Sequence, residues 1–210
     1  MTDTQPRRRH DKLRRQHLLE AAATLIAARG IHAVRVSDIA QEVGTTTSNV
    51  HYYFPAKDDL LISAIIWAVE QAFARHNAEM KELTSSYERI TRLLELQLPT
   101  GGPIQAEWSI WLQYWSEASQ RAELRATHAE MHQRWHDAIA EQVDAGKRSS
   151  EFEAVDTDFF VQQLSSIFNG SALQVLTGTM PVERMRELVM TFVAATLRPR
   201  ALSSPAVVQA

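Results

Sequence analysis

Three groups of side chains in this 210-residue chain carry recognisable chemistry. The first is Thr47, Ser48, Asn49, His51 and Tyr52, with Lys57 just beyond. Small hydroxyls, an amide, an imidazole and a phenol can reach base edges and phosphate oxygens, and asparagine can pair bidentately with adenine. The second is Trp108, Trp111 and Trp115, with Glu107 at their edge and Trp135 further on. Indole faces attract cations, by about 2 kcal/mol or more when the site is dry. The third is His128, His132 and His136 at four-residue steps, a spacing that zinc sites use. At roughly 100° per residue, however, these three fall about 40°, 80° and 120° from Leu124, drifting from the inner stripe toward solvent. His128 is then placed to line a pocket, His136 is expected outside, and no metal is expected.

The first group needs a helix to hold it, and residues 36–57 supply one. Ile39, Ala40 and Val43 recur at helical spacing, and Gly44 follows as a left-handed stop. Thr45 and Thr46 offer an N-cap hydroxyl to a second helix, which turns Val50, Tyr53 and Phe54 inward and leaves the polar group outward. This is a helix-turn-helix, whose second helix lies in the major groove. Arg14, Arg35, Ser37, Thr46 and Tyr53 flank that face and complete the candidate DNA contacts. Upstream, Arg7, Arg8, Arg9, Lys12, Arg14 and Arg15 make a basic arm suited to phosphates. A helix from Leu13 to Arg29, closed by Gly30, would support the pair.

The helix ending at Gly30, then Ile39-Ala40, Gly44-Thr45-Thr46, His51-Tyr52-Tyr53-Phe54, Lys57 and Leu60, resemble the DNA-binding domain of TetR-family repressors. The likeness covers about the first sixty residues. Thr45 departs from the valine usual there, Arg35 from a hydroxyl residue, and His51 from an aromatic one. The resemblance implies a repressor that binds double-stranded operator DNA as a homodimer and responds to a small molecule.

Beyond Pro55 the pattern stays helical. Lys57 to about Lys81 reads as one long helix carrying Trp67. Ser85 to Leu98 is another, stopped by Pro99-Thr100-Gly101-Gly102-Pro103. Ile104–Ser119 and Gln120–Ala145 follow, then a polar connection from Gly146 to Glu153. Val155–Leu176 and Val182–Leu197 are the last helices, and 199–210 reads as a flexible tail. Their apolar excess fits either an ordinary core or a two-fold four-helix bundle. The family resemblance implies the bundle, with Phe160, Leu164, Ile167, Ser171, Leu188 and Phe192 as its interface. The tryptophan spacing resembles the ligand-binding half of BetI-type members, which implies a choline-like ligand. The expected ligand site is Trp67, Trp108, Trp111, Trp115, His128, Met131, Trp135 and Phe168, although tryptophans at helical spacing are more often plain core, which is the expectation for at least two of Trp108, Trp111 and Trp115.

Composition narrows the classes. No cysteine occurs, so there is no disulfide framework or thiolate site. No apolar run approaches the roughly 20 residues of a membrane span, and the charged start is no signal peptide, which points to the cytoplasm. The net charge of −3 is unevenly spread. Residues 1–60 hold nine Lys and Arg against seven Asp and Glu, a net of +2; the remainder holds thirteen against eighteen, a net of −5. A basic head on an acidic body turns its head to DNA. No glycine-rich phosphate loop, nucleophile elbow or paired-carboxylate motif occurs, so neither an enzyme nor a cofactor is expected. The expected architecture is all-α: a three-helix DNA-binding domain over 1–56 and a helical ligand-binding and dimerisation domain over 57–198. The competing reading is an all-α ligand-binding or enzymatic protein whose helix-turn-helix is coincidental.

Overall fold

A computed structural model of the chain describes residues 4–198, with side chains from His10 onward. The expected tail, 199–210, and the side chains of Arg7, Arg8 and Arg9 lie outside the described residues. Among those described, the fold is all-α. It runs α1 (Thr4–Arg29), α2 (Val36–Val43), α3 (Thr47–Tyr53), α4 (Lys57–Glu79), α5 (Ser86–Glu95), α6 (Gly102–Gln120), α7 (Ala122–Arg148), α8 (Thr157–Leu176) and α9 (Val182–Leu197), with a 3-10 turn at Ile31–Ala33. No described helix is long and apolar enough to cross a membrane. The chain forms two compact units: residues up to Arg75 with Gly101–Arg125, and His76–Thr100 with the chain from Ala126. This partition differs from the boundary expected after residue 56. It groups most of α4, and all of α6, with the helix-turn-helix.

In the first unit α1 packs on α2 and α6, and α2 packs on α3. Leu18, Ala22, Ile26, Val34, Ile39, Val50, Leu60 and Ile65 are almost wholly buried, each large aliphatic contributing roughly 1.5–3 kcal/mol relative to exposure. The turn between α2 and α3 is fixed by backbone chemistry. Gly44 sits at φ 69°, ψ 41°, where a side chain would be strained. That conformation lets the Gly44 and Thr45 amides bond to the carbonyls of Gln41 and Ala40, at 3.1 and 2.8 Å. At the start of α2, the Asp38 carboxylate accepts the Arg35 amide at 3.1 Å. Thr46, not Thr45, caps α3: its Oγ1 accepts the Asn49 amide at 3.2 Å.

In the second unit α8 packs on α9, around Phe160, Leu164, Phe168, Met185, Val189 and Val193. Asp156 caps α8 by accepting the Phe159 amide at 3.1 Å. Glu151 reaches from the segment after α7 to the start of α5, where its carboxylate accepts the Ser86 and Tyr87 amides at 2.9 and 3.0 Å. A carboxylate on the free N–H groups of a helix start complements the helix dipole.

Several helix boundaries differ from the sequence reading. α1 begins at Thr4 rather than Leu13, so the basic arm is helical from there. α6 takes in Gly102 and Pro103, because proline fits the first turn of a helix, where its missing N–H costs nothing. α7 runs through Gly146 to Arg148, so the expected polar connection starts later.

Candidate functional site

The outward face of α3 presents Thr47, Ser48, His51 and Tyr52, all exposed, with Tyr52 75% accessible. Arg14, Arg35, Ser37 and Thr46 are exposed beside it, and Lys57 is half-buried at the start of α4. Several expected contacts carry bonds within the protein. Asn49 is half-buried, and its Nδ2 donates to Thr45 Oγ1 at 2.8 Å. Thr46 Oγ1 is committed to the cap. The Tyr53 hydroxyl donates to Asp11 Oδ1 at 3.1 Å, and His51 Nδ1 lies 3.3 Å from the Pro55 carbonyl. The Arg15 guanidinium sits over the Phe54 ring, 4.9 Å from its centroid, a cation–π contact that ties α1 to the end of α3.

Sequence reasoning missed Gln113. From α6 its Nε2 donates to the Ile26 carbonyl at 3.2 Å, and its Oε1 accepts the Ile31 amide. The Ile26 carbonyl also accepts the Gly30 amide at 2.9 Å, so Gln113 adds a second bond at the end of α1 and takes up the first amide of the 3-10 turn. One side chain therefore bridges α6 to the hinge between α1 and the 3-10 turn. The signal was faint: a glutamine inside the run Trp111-Leu112-Gln113-Tyr114-Trp115. Nearby, Glu117 pairs with His32 Nε2 at 3.1 Å and with Arg121 at 3.8 Å, and Arg121 reaches Asp58 of α4 at 3.3 Å.

Higher on α6 lies an aromatic and acidic face. Counting from Glu107, Trp111, Trp115 and Trp108 fall about 40°, 80° and 100° round the helix. Trp108 is buried, while Trp111 and Trp115 are half-buried. The Trp108 and Trp115 rings stand at 85° with centroids 6.4 Å apart, and Trp111 lies 6.2 Å from Trp115. Glu107 is ion-paired with Arg75 of α4. Burial pushes its carboxyl up from the ordinary range, and Arg75 pulls it back. Trp67, expected to share the ligand site, instead lines a groove of about 620 Å³ with Lys12, Arg15, Gln16 and Leu19 of α1.

In the second unit Met131 and Phe168 are core residues, 3% and 1% exposed. Trp135 is half-buried: its Nε1 donates to Gln97 Oε1 at 3.2 Å, and its ring lies 6.4 Å from Phe168. The histidine row does not drift into solvent. His128, His132 and His136 are all half-buried, with ring centroids 6.1 and 4.3 Å apart in sequence. α8 comes over them, bringing Ser165 Oγ to 3.4 Å from His132 Nε2. Burial and then His132 lower His128, and the same two causes lower His136 against the pull of Asp137 and Asp158.

Below the ordinary value of 6.5 the unfolded chain binds protons at these positions more readily than the folded chain does. Stability therefore falls as pH drops below about 6.5 and levels off once the folded histidines are also charged. Thermal melting of wild type should show this decline, and His128→Asn with His136→Asn should flatten it. An unaltered slope in the double variant would assign the acid sensitivity elsewhere.

Of the expected interface residues, Phe160, Leu164 and Ser171 are buried within their own unit at 1%, 0% and 6% exposure. Phe160 stacks on Phe192 of α9 with ring centroids 5.6 Å apart. Ile167, Leu188 and Phe192 are half-buried, and the exposed large apolar residues of α8 are Phe159 and Leu173.

A capped two-helix turn braced by α1, with a polar outward face on its second helix, defines a helix-turn-helix DNA-binding protein. Residues 18–64 match the bacterial regulatory proteins of the tetR family, and residues 86–198 match the C-terminal domain of BetI-type transcriptional repressors. The chain belongs to the tetR family of transcriptional regulators, with a BetI-type C-terminal domain. A transcriptional regulator from Saccharomonospora viridis, solved in complex with choline, is 39% identical with a TM-score of 0.81, over 87% of this chain and 96% of that one. A TetR-family regulator from Rhodococcus sp. is 24% identical with a TM-score of 0.76, over 88% and 98% of the two chains, a likeness of fold. The BetI regulator of Brucella canis is 28% identical over 120 residues, 57% of this chain and 61% of that one. That of Rhizobium meliloti (strain 1021) is 30% identical over 115 residues, 55% and 57% of the two chains. The match thus spans about three fifths of the length of these curated relatives.

Proposed function

We propose that the protein is a cytoplasmic repressor that binds a palindromic operator as a homodimer and is released from it by a small organic cation. The observation that carries the ligand class is the face of α6, where three indoles and the half-buried Glu107 carboxylate share one sector. Indole walls and a carboxylate suit a quaternary ammonium, which cannot donate hydrogen bonds and is held by charge and by π faces. The choline held by the Saccharomonospora viridis regulator supports the same class.

The route from that face to DNA runs through α6 itself. Gln113 lies on the same helix and holds the end of α1 and the Ile31 amide. Arg75, the partner of Glu107, belongs to α4, whose first residue is Lys57. A cation at Glu107 competes with Arg75 and shifts α6 against α4 and α1, and so alters the setting of α2 and α3. By linkage, ligand and operator weaken each other's binding by the same factor.

The test is calorimetry with choline, betaine aldehyde and aromatic acids, alongside release of the protein from its own upstream DNA. Choline should bind and release DNA. Trp111→Ala should weaken choline by about tenfold or more, leaving operator affinity without ligand unchanged. Binding with no release makes the site real but not regulatory. Tight binding of aromatic acids and none of choline would overturn the ligand class.

A further inference from the structure

The turn between α2 and α3 contains a side-chain bond that neither the cap nor the core requires. Thr45 is half-buried, and its own amide is fastened to the Ala40 carbonyl at 2.8 Å, so its position is set by the end of α2. From there Oγ1 accepts a hydrogen from Asn49 Nδ2 at 2.8 Å. The next residue, Thr46, accepts the Asn49 backbone amide at 3.2 Å. Asn49 is therefore held twice from the turn, once by its backbone and once by its side chain.

The second hold bears on base reading. The last torsion of an asparagine is broad and roughly two-fold, so a free amide turns over readily and exchanges its donor for its acceptor. Adenine offers the major groove an acceptor and a donor, whereas guanine offers two acceptors. An amide that turns over matches adenine in one order only, and in neither order does it match both acceptors of guanine. One pinned by a single hydrogen keeps its oxygen and its other hydrogen in a fixed plane, and that pair matches adenine.

We propose that Thr45 is a positioning residue for sequence recognition: its hydroxyl fixes the plane of the Asn49 amide and thereby sets which base α3 accepts at that position. This rests on α3 being the base-reading helix. Thr45 touches no base itself; it acts through Asn49. Since Ser keeps the hydroxyl and Val keeps the shape without it, the two substitutions separate the bond from the packing.

The experiment selects binding sites from a duplex library randomised over the operator half-site, using wild type, Thr45→Val, Thr45→Ser, Thr45→Ala and Asn49→Ala, each checked by thermal melting. Asn49→Ala should lose base preference at one position per half-site. Thr45→Val should lose it partly at that same position, with adenine discrimination falling by about tenfold, while binding to unrelated DNA and its salt dependence stay as in wild type. Thr45→Ser should restore the wild-type profile. If Thr45→Val melts early, Thr45→Ala carries the same expectation. A wild-type profile in Thr45→Val and Thr45→Ala, with an altered one in Asn49→Ala, would overturn the role of Thr45 and leave α3 as the reader. An unaltered profile in Asn49→Ala would remove both.

Discussion

Gly146→Ala should destabilise the protein by about 3 kcal/mol or more. A Cβ built at Gly146 overlaps the edge of the Phe152 ring, far closer than the roughly 3.5–4.0 Å at which carbon atoms rest. Phe152 cannot easily give way. It is 4% exposed, its ring meets Tyr87 edge-on at 6.5 Å, and its amide donates to the Gly146 carbonyl at 3.2 Å. The preceding residue, Glu151, is fastened to the start of α5 by two amides. The methyl group must therefore displace a buried aromatic ring or bend α7. Helix propensity alone predicts the opposite sign, since alanine in a helix interior is favoured over glycine by about 1 kcal/mol. Thermal and denaturant unfolding thus decide by sign: a raised melting point would mean that Phe152 does not occupy this seat. The double variant Gly146→Ala, Phe152→Ala should be less destabilised than the two single changes together, because removing the ring removes the clash.

Gly146 also shows where sequence reading stopped. A glycine followed by Lys147, Arg148, Ser149 and Ser150 looks like a helix end entering a polar loop. Nothing local says that a phenylalanine six residues on will close over it. The helix-turn-helix was legible for the opposite reason. Its determinants are local: apolar residues at helical spacing, Gly44 at positive φ and a hydroxyl at the cap. The outward face of α3 followed from periodicity, but the bond from Thr45 to Asn49 did not, since polar side chains four residues apart need not meet. The histidine row failed differently. Helical rotation alone carries His136 toward solvent, but periodicity within one helix does not reveal what packs over its flank. Ser165 of α8 stands against His132, next in the row to His136. Gln113 and Arg75 escaped because each matters through a partner distant in sequence, at Ile26 and Ile31 for one and Glu107 for the other.

Burial within the protomer bears directly on the interface of the proposed homodimer. The register assigned to Phe160, Leu164 and Ser171 places them in the core of their own unit. The exposed side of α8 carries Phe159, Gln162, Ser166, Gly170 and Leu173. These share one side, within about 80° of rotation. Phe159 and Leu173 are 61% and 45% exposed. Between them stand Ser166 and Gly170, and a side chain added at Gly170 would meet nothing within 4 Å. Large apolar ends with a small middle suit a two-fold crossing, in which one α8 lies across the other at the small residues and each end meets the partner chain. Phe159→Asp with Leu173→Asp should therefore give a folded monomer, since neither side chain is needed by the protomer's own core. Operator affinity should then fall by about 10²–10⁴-fold, because each half-site must be bound without help from the other. Phe160→Asp should instead unfold the protein, as a charge placed in a closed apolar core costs several kcal/mol. Sedimentation velocity gives the mass, circular dichroism the fold, and fluorescence anisotropy the DNA affinity. A double variant that stays dimeric and binds DNA as wild type does would place the two-fold contact away from this face of α8.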